Sequence, residues 1–432
     1  MATEKKKVRR NRNIRTFLVF IATLSIVLLV GLSALFINQY FINGTLKEQA
    51  DGASTLLTEL ASENDPITTN ELTESVNKEN EVPEAKAPPA RYANVLNDPE
   101  FMRENRIYTH EPSVPGEVRL LFAGDILFDA NYATMANANK RGGTVDMAFC
   151  NYLLETMREA DVMMLNNEFT YTTRGEPFPE KLFTFRARPE RAAWLNDMGV
   201  NLVSLANNHT YDYGEISLLD TLDTLKEHGI PYVGAGRDID EAAAPVYFII
   251  SDIKIAFIAS TQIERMSNPD TREATSTLPG VFRFLNNERL LATVAEAKEH
   301  SDFVVVFLHW GSERAEEPDW SQLEQGLKIS AAGADLIVGA HPHILQAITF
   351  HGDTPVAYSL GDFWFSSRTT DTGLLEAIVD ADGLKSLRFL PARQHNCFTS
   401  LQHGEDKKRI LNIMRDLSPN ITIDEDGFIM KK

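Results

Sequence analysis

Hydrophobicity along the chain changes pattern three times. Thr16–Ile37 is an uninterrupted apolar run of 22 residues without a charge. At about 1.5 Å per residue it crosses a hydrocarbon core of about 30 Å, so it predicts a transmembrane helix, being longer than the core of a secretory signal. Residues 44–90 lose this character and fill with Glu, Asn, Thr, Ser and Pro. Such a segment has too little apolar surface to offset its ordering entropy and predicts an extended stalk. From about Glu117 short β-branched runs alternate with stretches of helical spacing. The runs predict strands at Val118–Ala123, Val162–Asn166, Leu202–Ala206, Lys254–Ala259, Phe303–Leu308, Leu336–Gly339 and Val356–Ser359. Between them, helices are predicted at Met147–Glu159, Pro189–Met198, Ile216–His228, Glu288–Glu299 and Trp320–Ala332.

Strands that are apolar on both faces, each followed by a helix, predict a layered α/β fold. The expected organisation is a basic segment over 1–15, the membrane span over 16–37 and a stalk over 38–116. A globular domain follows over 117–395, then a carboxy-terminal extension over 396–432.

Charge orients this arrangement. The first 15 residues carry seven Lys or Arg side chains against Glu4. By the positive-inside rule they stay in the cytoplasm, and the chain beyond residue 38 is exported. The formal net charge of the whole is -19, so the exported part is strongly acidic. Long-range repulsion from such a body opposes binding to nucleic acid, and a polyanion would need cations or a local basic cleft. The two cysteines, Cys150 and Cys397, are too few for a cysteine zinc site, and they read either as one disulfide or as two thiols.

The chemistry gathers at strand ends, where open α/β sheets place their binding residues. Asp125 follows the first predicted strand and Glu168 the second. Asn208 and His209 follow the third, His309 the fifth, and His341 and His343 the sixth. Two carboxylates, a carboxamide and four imidazoles suit a centre of one or two divalent ions such as Mn, Fe or Zn. Paired ions clamp and polarise a reacting group, and a nearby unligated histidine moves a proton.

These residues lie in motifs that resemble the CapA/PgsA family of poly-γ-glutamate capsule synthesis proteins. The segment Leu205-Ala-Asn-Asn-His209 with Asp212-Tyr-Gly214 is the most specific part. His309-Trp310-Gly311, Gly339-Ala-His-Pro-His343 and Ala357-Tyr-Ser-Leu-Gly361 follow in the family's order. The resemblance implies a four-layer metallophosphoesterase-like β-sandwich flanked by helices. It implies metal ligands at Asp125, Glu168, Asn208, His309, His341 and His343, and a proton-transferring His209. The chain departs from the phosphoesterase pattern where Leu127 replaces a ligand histidine and Glu168 replaces an aspartate. It departs from its own family at Asp362, where many members have Asn. Asp362 reads either as a turn residue or as an added carboxylate of the cleft. Asp212 reads as the group that orients His209 or as an ordinary turn aspartate. Arg186 and Arg188 read as binders of an anionic substrate or as surface arginines, and Trp310 as core or as a substrate platform.

Two functions are expected from this pattern. One is a membrane-anchored extracellular protein that assists synthesis or export of poly-γ-glutamate or a related anionic polymer, beside membrane-embedded synthase and export subunits. The other is an extracellular metal-dependent hydrolase of a phosphoester or an amide-linked polymer.

Overall fold

The structure is a computed structural model and describes residues 90–263 and 271–432. The expected membrane span at Thr16–Ile37, the basic segment before it and most of the stalk lie outside the described residues. Among the described residues no helix is long and apolar enough to cross a membrane.

Two sheets carry the fold. In the first, the order is Ile107–Tyr108, Val246–Ile250, Ile253–Thr261, Phe303–His309, Leu336–Ala340, Thr354–Ala357 and Ile348–His351. In the second it is Phe398–Leu401, Gly383–His395, Thr370–Asp380, Val118–Ile126, Val162–Asn167, Leu202–Ser204 and Tyr232–Val233. The central strands of each sheet run parallel. The hairpin of Thr370–Asp380 and Gly383–His395 joins the second sheet antiparallel to Val118–Ile126.

Alternation of side chains explains why the strands read as unbroken apolar runs. Every residue of Phe303–His309 is buried. Val305 and Phe307 enter the core between the sheets, while Val304, Val306 and Leu308 enter a second core under the helices Glu288–His300 and Trp320–Ala331. On the other sheet Leu120 and Phe122 face the shared core. Leu121 and Ala123 face a third, beneath Asn151–Arg158, Ala193–Met198 and Glu215–Glu227. Three cores lie between four layers, helix, sheet, sheet and helix, of a mixed α/β fold.

Boundaries differ from the sequence reading for identifiable reasons. The helix expected from Met147 starts at Asn151, because Cys150 N–H donates to Thr399 O at 3.0 Å and holds Phe149 and Cys150 extended. The strand expected over Val356–Ser359 ends at Ala357. Beyond it Ser359 Oγ donates to Ile344 O and Gly361 turns with φ +71°. The domain is also larger than 117–395. Ile107–Tyr108 adds an edge strand, and Ile410, Leu411, Met414, Ile421, Ile423 and Ile429 of the expected extension fill the core between the sheets. Residues 396–432 are part of the same compact unit as the other described residues.

Candidate functional site

Each group comes from the end of a strand, and close backbone packing sets its position. Gly124 allows the chain ending in Asp125 to lie against Gly361; a Cβ there would stand 1.9 Å from Gly361 O. Asp125 N–H donates to Gly361 O at 3.1 Å, and Asp362 pairs in register with Asp125. Gly339 does the same for the strand that ends before His341, since its Cβ would meet Tyr358 O at 2.0 Å. His341 and His343 both have left-handed backbones, with φ of 99° and 59°. Each such non-glycine conformation costs about 1–3 kcal/mol and persists only where its surroundings fix it. Here Pro342 O accepts from Arg314 N–H at 2.9 Å between the two histidines.

The eight expected metal and proton-transfer residues converge: Asp125, Glu168, Asn208, His209, Asp212, His309, His341 and His343 are all buried. Ligand atoms of Glu168, His309 and His341 lie within 4.8 Å of one another, as do those of Asp125, His343 and Asp362. His341 Nδ1 stands 3.1 Å from His309 Nε2, and Asn208 Oδ1 stands 2.8 Å from the same nitrogen. His343 Nδ1 stands 2.7 Å from Asp362 Oδ1 and 3.3 Å from Asp125 Oδ2. Asp362 is therefore in the cluster and not only in a turn, and its carboxylate completes a triad with Asp125 and His343, while Leu127 is buried in a hydrophobic core.

Burial and mutual charge set the electrostatics. Burial, reinforced by the Asp125 charge, pushes the Glu168 carboxyl well above its usual range. Burial would raise Asp125 too, but the bond and charge of His343 outweigh it and hold the group at about 2. Burial disfavours a charged His343, yet the Asp362 and Glu168 carboxylates raise it well above an ordinary histidine. Burial lowers His309 well below that value and, with the nearby His343 charge, brings His341 to about 3.

The residues fit a cation by a direct test. Glu168 Oε1 is buried without a hydrogen-bond partner, 3.6 Å from His309 Nε2. A buried carboxylate oxygen among imidazole nitrogens needs a positive partner, and oxygen and nitrogen donors in this set suit Mn, Fe or Zn.

His209 stands to one side. Its Nδ1 meets Asp212 Oδ2 at 2.7 Å, and its Nε2 points toward Glu168 Oε1 at 3.9 Å. Asp212 is held in turn by Phe185 N–H at 2.6 Å and Lys181 Nζ at 2.6 Å. Burial pushes the Asp212 carboxyl up to about 7 against the pull of Lys181. Burial lowers His209 well below an ordinary histidine, with the Lys181 charge adding to the effect. The Phe185 ring packs 4.2 Å from the His209 ring.

Three readings that the sequence left open are answered by the structure. Arg186 places its guanidinium 4.3 Å from the centre of the Tyr213 ring, and only its backbone N–H reaches toward the site, donating to Asp129. Trp310 is core, stacked on Tyr358 with its indole N–H on Tyr358 O. Cys150 and Cys397 are both free thiols.

Sequence reasoning missed Asn166, whose amide donates to Asp125 at 2.7 Å and Glu168 at 3.3 Å and lies 3.3 Å from His309 Nδ1. Its signal was its place two residues before Glu168, on the same strand face. It also missed Lys181, which lies in a loop with no pattern. A cleft of about 600 Å³ opens above Asn208, His209 and His343.

A family model described as bacterial capsule synthesis protein PGA_cap matches residues 119–367. The PGA biosynthesis protein CapA of Bacillus subtilis (strain 168) is 28% identical over 303 residues, covering 69% of this chain and 77% of that protein. The capsule biosynthesis protein CapA of Bacillus anthracis is 31% identical over 239 residues, covering 54% of this chain and 57% of that protein. A probable polyglutamine synthesis accessory protein of Mycobacterium tuberculosis is 27% identical over 208 residues, covering 47% and 55%. This chain thus spans little more than half the length of the latter two. With more than half of its length matched by the family model, the chain belongs to the bacterial capsule synthesis protein family PGA_cap.

Proposed function

We propose that the chain assists synthesis or export of an anionic capsule polymer of the poly-γ-glutamate kind, and that it does so by metal-dependent work on the polymer in the cleft described above. One observation carries this reading. The family match over residues 119–367 contains every member of the cluster, from Asp125 to Asp362. In this reading the sandwich is metallophosphoesterase-like, and Thr16–Ile37 anchors the chain in the membrane with residues 1–15 in the cytoplasm. The domain then faces the exterior, beside membrane-embedded synthase and export subunits.

The position of His209 favours hydrolysis as the chemistry. One or two divalent ions held by Asp125, Glu168, Asn208, His309, His341, His343 and Asp362 would supply Lewis-acid polarisation of the scissile group. Asp212 fixes the proton of His209 on Nδ1 and leaves Nε2 open toward the cleft. For an amide-linked polymer, water adds its oxygen to the carbonyl carbon and the C–N bond breaks. His209 Nε2 takes one proton from the water and returns it to the departing nitrogen, giving an amine and a carboxylic acid that then releases the second water proton to solvent. Burial around the cluster excludes bulk water from these groups.

The test is complementation of a deletion strain, reading the amount and chain length of surface polymer. Wild type should restore the polymer and His209→Ala should not, with purified wild type shortening polymer in a metal-dependent manner. Full restoration by His209→Ala would remove the site from the function.

A further inference from the structure

We infer that Arg314 and Arg368 form a carboxylate-recognition wall of the cleft, selecting a linear chain whose carboxylates are spaced by methylene groups. This rests on the reading that the cleft works on a capsule polymer, and it names the residues and the chemistry by which the polymer is chosen.

The cleft carries basic side chains on its wall although the chain as a whole is acidic. The whole carries -19, yet the cleft wall presents Lys181, Arg314 and Arg368 against Glu313. A basic wall on an acidic body favours the approach of an anion at the cleft over the surface at large. Lys181 is occupied at the base of the wall by Asp212. Arg314 reaches inward only weakly, with Nη2 3.9 Å from Asp362 Oδ2 and Nη1 3.4 Å from His343 O. The Arg368 guanidinium is exposed and has no hydrogen-bond or ion-pair partner among the described residues. Planar guanidinium groups pair with carboxylates through two parallel hydrogen bonds, which gives them selectivity as well as attraction.

Both arginines stand on loops clamped from beneath by buried glutamines. Gln394 accepts from Phe365 N–H at 2.9 Å and donates to Ser366 O and Arg368 O, both at 2.8 Å. Gln346 donates to Ala315 O at 2.9 Å and Glu317 O at 3.3 Å, and is itself held by Gln322 at 3.0 Å. All three glutamines are fully buried. Arg314 adopts a left-handed backbone at φ 62°, locked by its N–H on Pro342 O. These bonds fix both loops before any ligand arrives, which lowers the ordering cost of binding.

Aromatic side chains make up part of the remaining wall. Phe185 and Phe365 flank the buried histidines, and Phe183 is half exposed at the mouth. A wall that combines cationic and aromatic side chains matches a γ-linked glutamate chain, in which each α-carboxylate is separated from the next by methylenes and an amide. A polyphosphate lacks the methylenes, and a neutral polyamide lacks the charge.

Fluorescence anisotropy with a labelled γ-linked glutamate decamer tests this on the metal-loaded full-length chain at about 0.1 M salt. A second probe carries the same backbone with every free carboxylate as a primary amide. Arg368→Gln should weaken decamer binding about tenfold, and Arg314→Gln/Arg368→Gln more. Arg103→Gln, the same charge change on an exposed helix outside the cleft, should stay within twofold. The amidated decamer should bind weakly to all four proteins. Metal content per chain is measured in parallel, because Arg314 touches the His343 carbonyl, and it should not change in Arg368→Gln. Decamer binding by Arg368→Gln within twofold of wild type would overturn the inference and leave the function standing. No decamer binding by metal-loaded wild type would overturn both.

Discussion

Replacing Gln394 by Met removes all three of its hydrogen bonds while nearly conserving length and volume. The cavity contribution is therefore small, and the change in stability reports the clamp itself. Three neutral hydrogen bonds at about 0.5–1.5 kcal/mol each give roughly 3 kcal/mol. The bonds are not equivalent. Ser366 O and Arg368 O lie on a partly exposed loop and regain water if the loop lifts, whereas Phe365 N–H lies in a buried residue beside His343 and has no second acceptor. Lifting the loop limits the global loss to about 2–3 kcal/mol and concentrates the effect on one amide. Two assays separate these effects. Urea unfolding should show a lower midpoint with an unchanged slope. Amide exchange at Phe365 should accelerate roughly 30- to 150-fold, the factor that 2–3 kcal/mol implies. Decamer affinity should fall with it, because Arg368 rides on the same loop. A stability change below about 0.5 kcal/mol with unchanged Phe365 exchange would refute the clamp and the preorganisation built on it.

Other consequences follow from single contacts. Asp362→Asn keeps the shape but removes the carboxylate from the triad with Asp125 and His343, so chelator competition should show at least about tenfold weaker metal binding; unchanged affinity would return Asp362 to a turn role. Asp302 accepts from Lys254 N–H at 2.8 Å, Tyr92 O–H at 2.9 Å and the Arg91 guanidinium, tying the start of the described chain to the sheet. Burial alone would raise its carboxyl, but these donors hold it below the usual range. Its contribution, on the order of 1 kcal/mol, is present above the unfolded value of about 3.9 and disappears as pH falls through the lower folded value. Asp302→Asn should therefore be less stable than wild type at pH 7 in thermal melts, with the gap closing below about pH 4; a gap that widens on acidification contradicts the assignment.

The site was largely legible because its residues sit where sequence signals are strongest. Buried parallel strands are apolar on both faces, so the polar residue that ends each run stands out: Asp125, Glu168, His309 and His341 were found that way. Asp362 was left open because Gly361-Asp362 has the form of a turn. Its role depends on Gly124 letting Gly361 O approach, a contact between residues more than two hundred positions apart. The hairpin Thr370–Asp380 and Gly383–His395 was missed for a different reason. Gly383–His395 mixes Lys385, Arg388 and Arg393 with its core residues, and Glu376 sits buried in the facing strand because Arg119 Nε lies 2.7 Å away. Local pattern does not reveal a charge neutralised by a distant partner. Arg314 and Arg368 carry no motif either, since loops and buried glutamines place them, and Arg186, read as a binder of an anionic substrate or as a surface arginine, turned onto Tyr213.

The proposed chemistry requires the cluster to be a metal centre, which elemental analysis of the purified chain beside a His309→Ala/His341→Ala double variant tests. The prediction is one or two Mn, Fe or Zn ions per wild-type chain and their loss from the folded double variant. Wild type that stays metal-free after reconstitution with each of these ions would contradict it, and would make the fold a scaffold without chemistry at this site.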